Sequence, residues 1–125
     1  MPAQSKKHDT CAVPCFNQNK VDAIRTRFEK QQDRLPELAD FYKLLGNSTR
    51  LKILLALADC ELCVCDIAHV LELSTAATSH QLKLLRDKGW LKMRNDGKMV
   101  YYRLHSEDLL KALKSDLKML QAKLG

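Results

Sequence analysis

The sequence contains no apolar run that approaches the roughly 18–20 residues of a membrane-spanning helix. Lys6 and Lys7 lie near its N-terminus, but no apolar segment follows them as it would in a secretory signal peptide. We therefore expect a cytoplasmic protein that has no membrane partner.

The chain also lacks the residue sets on which most enzymes depend. It has no recognisable Ser/His/Asp set, no carboxylate pair and no phosphate-binding loop. Its histidines are scattered along the chain, at His8, His69, His80 and His105. We therefore expect neither catalysis nor a small-molecule substrate.

The distribution of charge is more informative than its total. The formal net charge of +6 favours an anionic partner only modestly. Residues 59–73, however, hold four acidic residues and no Lys or Arg, whereas residues 74–103 hold seven basic and two acidic residues. An acidic segment with three cysteines (Cys60, Cys63 and Cys65) thus precedes a basic segment.

The five cysteines are unsuited to a complete disulfide framework, because their number is odd. In a cytoplasmic protein a thiol cluster is more often a metal or redox site than a set of disulfides. Cys11 and Cys15 form a second group near the N-terminus.

The 125 residues suffice for one domain with a tail. Residues 1–16 are polar and contain two prolines, so we expect a flexible arm, and residues 17–125 should form the domain. Apolar periodicity predicts helices over about residues 17–34 and 36–45. A third helix, capped by Asn47 or Ser48 and exposing Arg50 and Lys52 at its edge, should carry Leu51, Ile53, Leu54, Leu55 and Leu57. A last helix is predicted over about residues 106–123.

Between these helices the pattern changes to a short helix, a turn, a longer helix and a hairpin. We expect Asp66 to cap the short helix, which should bury Ile67, Val70 and Leu71 and end before a turn at Glu72-Leu73. Ser74 should cap the longer helix, and Gly89 should end it. Asn95-Asp96-Gly97-Lys98 is a strong hairpin signal between two strand-like segments.

This order predicts a mainly α protein with a small β-hairpin, the winged helix-turn-helix arrangement α-α-α-α-α-β-β-α. The longer helix would enter the major groove of double-stranded DNA, with Ala77, Leu82 and Leu85 facing inward. The alternative is a solvated polar helix face beside a charged hairpin. The candidate DNA-contacting residues on the helix and hairpin are Thr75, Thr78, Ser79, His80, Gln81, Lys83, Arg94 and Lys98.

Three segments resemble the ArsR/SmtB family of dimeric, metal-sensing repressors. They are Glu61–Ala68 with its Cys-Val-Cys, Ser79–Arg86, and Gly97–Tyr102. Asp9-Thr10-Cys11 with Cys15 is similar to the cadmium-, lead- and zinc-responsive CadC-like branch. The resemblance implies operator DNA as the partner, and release of that DNA when metal binds, which derepresses resistance or efflux genes.

The spacing and number of the cysteines limit how they can bind a metal ion. Cys63 and Cys65 would point some 200° apart on a regular helix, so they converge only if the helix begins near Cys65 and leaves Cys63 extended. Two thiolates are too few for a tetrahedral ion, and Cys11 and Cys15 would complete four sulfur ligands. We therefore predict that these four cysteines bind Zn(II), Cd(II) or Pb(II) as the effector ion. Cys60 is either a fifth thiol near the site or, more simply, the end of the core helix.

The family has a second metal site on its C-terminal helix, which we do not expect here. The corresponding positions are Ser106, Asp108, Met119 and Ala122, and only one of them is a ligand type. The apolar stripes of the first and last helices favour a homodimer, as the resemblance also implies. In the family, the arm reaches the partner's Cys-x-Cys pair.

Two other functions fit the same residues. A redox repressor would use oxidation of the same thiols without metal. A DNA-binding protein with structural zinc would need metal to fold, and its DNA binding would not weaken when metal is added.

Overall fold

The computed structural model describes residues 15–32 and 34–124. The chain divides into two compact units after Tyr42. The predicted arm over residues 1–16 lies almost wholly outside the described residues, so its boundary stays a prediction. Cys11 also lies outside them.

The first unit contains helix α1, Gln18–Lys30, and the start of helix α2, Arg34–Leu45. Asn17 caps α1, and its side chain accepts a hydrogen bond from the backbone N–H of Lys20 at 3.1 Å. The predicted extension of α1 to residue 34 is wrong, because the chain turns at Gln31 and α2 then begins. Pro36 falls in the first turn of α2, where its missing N–H costs nothing.

The second unit begins with the end of α2 and continues into helix α3, Ser48–Ala56. The predicted cap is confirmed, since the Asn47 side chain accepts a hydrogen bond from the backbone N–H of Arg50 at 3.0 Å. Ile53 and Leu54 of this helix are almost completely buried. This helix therefore forms the centre of the core.

Strand β1, Leu62–Cys63, leads directly into helix α4, Val64–Leu71. The prediction that Asp66 caps this helix is wrong. Cys63 is the cap residue, because its extended backbone pairs with Tyr101 in the sheet and the helix starts at the next residue. Asp66 instead lies in the first turn, where a negative charge is favourable.

The inner face of α4 also differs from the prediction. Ile67 and Ala68 are buried, whereas Val70 is 61% exposed. At about 100° per residue, Ile67, Ala68 and Leu71 lie on one side of the helix and Val70 lies away from them. The predicted turn after α4 is confirmed, because Glu72 adopts a left-handed conformation with φ of 56°.

Helix α5, Thr75–Asp87, follows, and strands β2, Leu91–Asp96, and β3, Met99–Leu104, form the hairpin. Asp96 pairs with Met99, so Gly97 and Lys98 form a two-residue loop, and Gly97 has the positive φ that such loops require. Helix α6, Glu107–Leu124, ends the chain. The winged helix-turn-helix arrangement is confirmed.

The sheet contains one strand that the sequence pattern did not predict. β1 pairs antiparallel with β3, which gives three strands in the order β1-β3-β2. The cysteine-bearing segment is therefore hydrogen-bonded to the hairpin. Two residues are too few to produce a visible alternation of apolar and polar side chains.

Candidate nucleic-acid interface and thiol site

Helix α5 begins at a side-chain cap and packs against the core through its apolar face. The Ser74 hydroxyl accepts a hydrogen bond from the backbone N–H of Ala77 at 3.1 Å, which confirms the predicted cap. Leu82 and Leu85 are completely buried. The exposed surface of the helix carries four side chains from the predicted set, Thr75, Ser79, His80 and Lys83.

Thr78 does not lie on that exposed face, and its assignment there is wrong. The residue is completely buried, and its hydroxyl donates to the backbone carbonyl of Ser74 at 2.8 Å. Thr78, Leu82 and Leu85 follow the i, i+4, i+7 spacing of one helix face. Ala77, which was expected to face inward, is exposed instead.

Gln81 is half-buried and belongs to a polar contact between α3 and α5. The Arg50 Nε donates to its side-chain oxygen at 3.0 Å, and Arg50 Nη1 donates to the Leu44 carbonyl at 3.0 Å. Arg50 is thus half-buried rather than at the exposed edge of α3, whereas Lys52 is exposed as predicted. No local pattern identifies this contact, because Arg50 and Gln81 are 31 residues apart.

On the hairpin, Lys98 is exposed in the loop and Arg94 lies on β2. The Arg94 guanidinium donates to the Glu61 carboxylate from Nη2 at 2.9 Å and from Nε at 3.2 Å. It also lies 4.7 Å from the centre of the Tyr101 ring. The hydrogen bond from Arg94 lowers the pKa of Glu61, and the same bond raises the pKa of Arg94. The contact between Glu61 and Arg94 was not predicted from the sequence.

The two cysteines of the Cys-Val-Cys segment have different surroundings. Cys63 is extended, as expected, and 6% exposed, and Cys65 is exposed in the first turn of α4. The ring Nδ1 of His69 lies 2.8 Å from the Cys65 carbonyl oxygen, one turn along the helix. Backbone N–H groups at a helix start favour negative charge, and therefore favour a thiolate ligand.

Cys15 and Cys60 are also exposed. Within residues 15–32 and 34–124 no group of three or more His, Cys, Asp or Glu side chains is arranged to hold a metal ion. The predicted four-cysteine set includes Cys11, which lies outside those residues, so the set stays a prediction.

Exposed apolar side chains occur on several of the described helices, including α2 with Leu35, Leu38 and Tyr42. On α1, Ile24 is 41% and Phe28 is 53% exposed. On α6, Leu109, Leu110 and Leu113 are buried, but the second half of the helix exposes Leu117, Met119, Leu120 and Leu124. Among the described residues, no helix has the length and hydropathy needed to cross a membrane.

Comparison with known proteins identifies relatives over about four fifths of the chain. The family profile described as bacterial regulatory protein, arsR family, matches residues 47–92. The cadmium resistance transcriptional regulatory protein CadC homolog of Staphylococcus aureus is 41% identical over 100 residues, which are 79% of this chain and 81% of that protein. The transcriptional repressor SmtB homolog of Synechocystis is 35% identical over 101 residues, or 81% of this chain and 76% of that protein.

Solved structures agree with these sequence relationships. A homodimeric winged helix-turn-helix DNA-binding domain from Mycobacterium bovis superposes with a TM-score of 0.68 at 28% identity, covering 76% of this chain and 88% of that one. The AntR antimony-specific transcriptional repressor gives a TM-score of 0.66 at 32% identity, covering 73% and 83% of the respective chains.

Proposed function

Because this chain belongs to the ArsR family of bacterial transcriptional regulators, we propose that it is a metal-responsive repressor. Without metal, a homodimer binds operator DNA. A soft or borderline ion, Cd(II), Pb(II) or Zn(II), binds at cysteine thiolates and releases the DNA, which derepresses metal resistance or efflux genes.

The observation that carries this proposal is the position of the Cys63–Cys65 pair. Cys63 ends a strand that is hydrogen-bonded to the hairpin, and Cys65 lies in the first turn of the helix that packs against α5. An ion bound at these sulfurs would therefore lie where the hairpin strand meets the helix-turn-helix. The cadmium resistance regulators among the relatives support a soft metal as the effector.

The donor set fits such an ion. Thiolates are the ligands that soft and borderline metals prefer, and Cys65 is accessible without unfolding. Cys11 and Cys15 complete four sulfur ligands in the proposal. Ligands from both segments would tie the arm to the start of α4.

In the proposed complex, side chains of α5 and of the hairpin would contact the DNA. Thr75, Ser79, His80 and Lys83 face outward on α5 and would contact base edges and phosphates, and Gln81 adds a contact if it leaves Arg50. Arg94 and Lys98 would contact phosphates from the hairpin. Thr78 has no part in this surface, because it is buried.

A second copy of the chain would cover the exposed apolar side chains of α1 and of the second half of α6. The homodimeric relative supports this assembly. Two-fold symmetry would place the two α5 helices about one DNA turn apart, so the operator should be a palindrome.

The free energy of metal binding at a thiolate site is large enough to drive the release of DNA. Moving the DNA-binding equilibrium from almost fully bound to almost fully free needs a difference of about 5.5 kcal/mol. A structural zinc site contributes about 10–16 kcal/mol. Only part of the metal-binding energy has to disfavour the DNA-bound state.

The test starts by selecting a binding duplex from a random-sequence pool. Fluorescence anisotropy then follows the protein–duplex complex as Zn(II), Cd(II) or Pb(II) is added under reducing conditions. We expect at least one ion to release the duplex from the wild type and from the matched control Cys60→Ser, but not from Cys65→Ser. Release from Cys65→Ser at the same ion concentration contradicts the proposal, and release by oxidant alone favours the redox alternative.

A further inference from the structure

The contact between Glu61 and Arg94 joins the cysteine-bearing segment to the hairpin. Glu61 lies between Cys60 and strand β1, and Arg94 lies near the middle of β2. The two residues are 33 positions apart in sequence, and their side chains meet through three donor–acceptor distances of 2.9–3.4 Å. The contact is therefore a specific bidentate pair.

The sheet register places Arg94 and a proposed metal ligand in one row. Cys63 is directly opposite Tyr101 on β3, and Tyr101 is directly opposite Arg94 on β2. The Arg94 guanidinium also lies over the Tyr101 ring at 4.7 Å. Directly opposed residues of antiparallel strands are close neighbours, so Tyr101 on the central strand β3 links Arg94 to the cysteine-bearing strand β1.

The guanidinium group of Arg94 has the planar shape that is suited to binding a phosphate. Its planar donors fit carboxylate and phosphate oxygens alike, in the same bidentate geometry. Nε and Nη2 donate to Glu61, and Nη1 lies 3.6 Å from the Asp96 carboxylate. A DNA phosphate that binds the Nε–Nη2 edge of Arg94 must therefore replace Glu61.

We propose that the Glu61 carboxylate is an internal competitor of DNA phosphate for Arg94. The inference rests on the proposed DNA-binding function. Glu61 lowers the affinity for DNA in the metal-free protein, and its removal leaves Arg94 available. Since Glu61 belongs to the segment that carries Cys60, Cys63 and Cys65, any change in that segment alters how strongly it competes.

The test uses full-length protein, a chelator, and a mixed-sequence duplex of about 30 base pairs, because phosphate contacts do not depend on sequence. Exposed ion pairs contribute modestly, so Glu61→Gln should bind the duplex about two- to five-fold more tightly than the wild type. Arg94→Gln should bind more weakly. The slope of the logarithm of its affinity against the logarithm of the salt concentration should also fall in magnitude by about one for each hairpin. Glu61→Gln should have no effect in the Arg94→Gln background.

Glu72→Gln is the matched control, since it removes the same charge from an exposed position in the turn before α5. It should change the affinity much less than Glu61→Gln does. Equal tightening by Glu72→Gln, or tightening by Glu61→Gln that persists without Arg94, would show a general charge effect and overturn the inference. Thermal melting monitored by circular dichroism checks that each variant is folded.

Two further outcomes distinguish the inference from the function on which it rests. A wild type that binds the duplex as tightly as Glu61→Gln overturns the competition alone. A wild type that binds neither this duplex at low salt nor any selected duplex overturns the proposed function as well.

Discussion

Thr78 and Ser79 are adjacent hydroxyl residues on α5, and the structure assigns them opposite roles. Thr78 is completely buried, whereas Ser79 is exposed on the outer face. We expect Thr78→Val to change the stability of the fold and leave DNA binding unaffected. Ser79→Ala should do the reverse.

The size of the Thr78 effect follows from its hydrogen bond. The Ser74 carbonyl accepts from the Thr78 hydroxyl at 2.8 Å and also from the Thr78 backbone N–H at 3.0 Å. In Thr78→Val the carbonyl keeps its backbone donor, so no buried polar atom loses its last partner. The expected loss is therefore about 1 kcal/mol, which lowers the melting temperature by about 4 °C for a domain of this size.

Ser79→Ala should leave the free energy of unfolding within about 0.5 kcal/mol of the wild type, because the side chain is exposed. Loss of one hydrogen bond to DNA from each protomer, about 1 kcal/mol apiece, corresponds to about 30-fold weaker binding of the selected duplex by the homodimer. Denaturant unfolding at fixed protein concentration and fluorescence anisotropy measure the two quantities. Weaker DNA binding by a fully folded Thr78→Val protein, or unchanged binding by Ser79→Ala, would refute the assignment of the two faces.

Further predictions concern the support of α5 and the dimer. Arg50→Met keeps the apolar part of the side chain but removes the half-buried hydrogen bonds to Gln81 and α2, so the free energy of unfolding should fall by about 2 kcal/mol; an unchanged urea midpoint would contradict this. Leu117→Lys with Leu120→Lys should give monomers in sedimentation velocity, whereas Lys118→Gln on the same helix should remain dimeric. A dimer that survives the double substitution would exclude this part of α6 from the interface.

The elements that the sequence predicted correctly are those with strong local signals. Asn47, Ser74 and Gly97 each mark a helix start or a tight turn through their own backbone or side-chain chemistry, and the structure has these features where they were expected. The apolar spacing of Leu82 and Leu85 likewise placed the inner face of α5.

Two errors concern which residues face the core. Thr78 lies on the same helical stripe as Leu82 and Leu85, but its hydroxyl made it look like a DNA-contacting residue. Val70 was expected in the core three residues after Ile67, at a spacing typical of one helix face, but the buried face is centred nearer Ala68 and leaves Val70 61% exposed. Spacing therefore predicts the burial of Thr78, whereas the burial of Ala68 in place of Val70 depends on tertiary packing.

Other features could not be predicted locally because they depend on tertiary contacts. Strand β1 exists through its pairing with β3, nearly 40 residues later along the chain. That pairing makes Cys63, rather than Asp66, the cap residue of α4. The contacts of Arg50 with Gln81 and of Glu61 with Arg94 also join distant parts of the chain.

The central proposal is that cysteines from the N-terminal segment and from the start of α4 bind the same ion. The ultraviolet sulfur-to-metal charge-transfer absorbance of the Cd(II) complex, measured per bound ion, tests it most directly. With four sulfur ligands, single substitution of Cys11, Cys15, Cys63 or Cys65 by Ser should each lower that absorbance by about one quarter, and Cys60→Ser should not change it. Absorbance and affinity that stay at wild-type values in the Cys11→Ser and Cys15→Ser proteins would contradict the shared site.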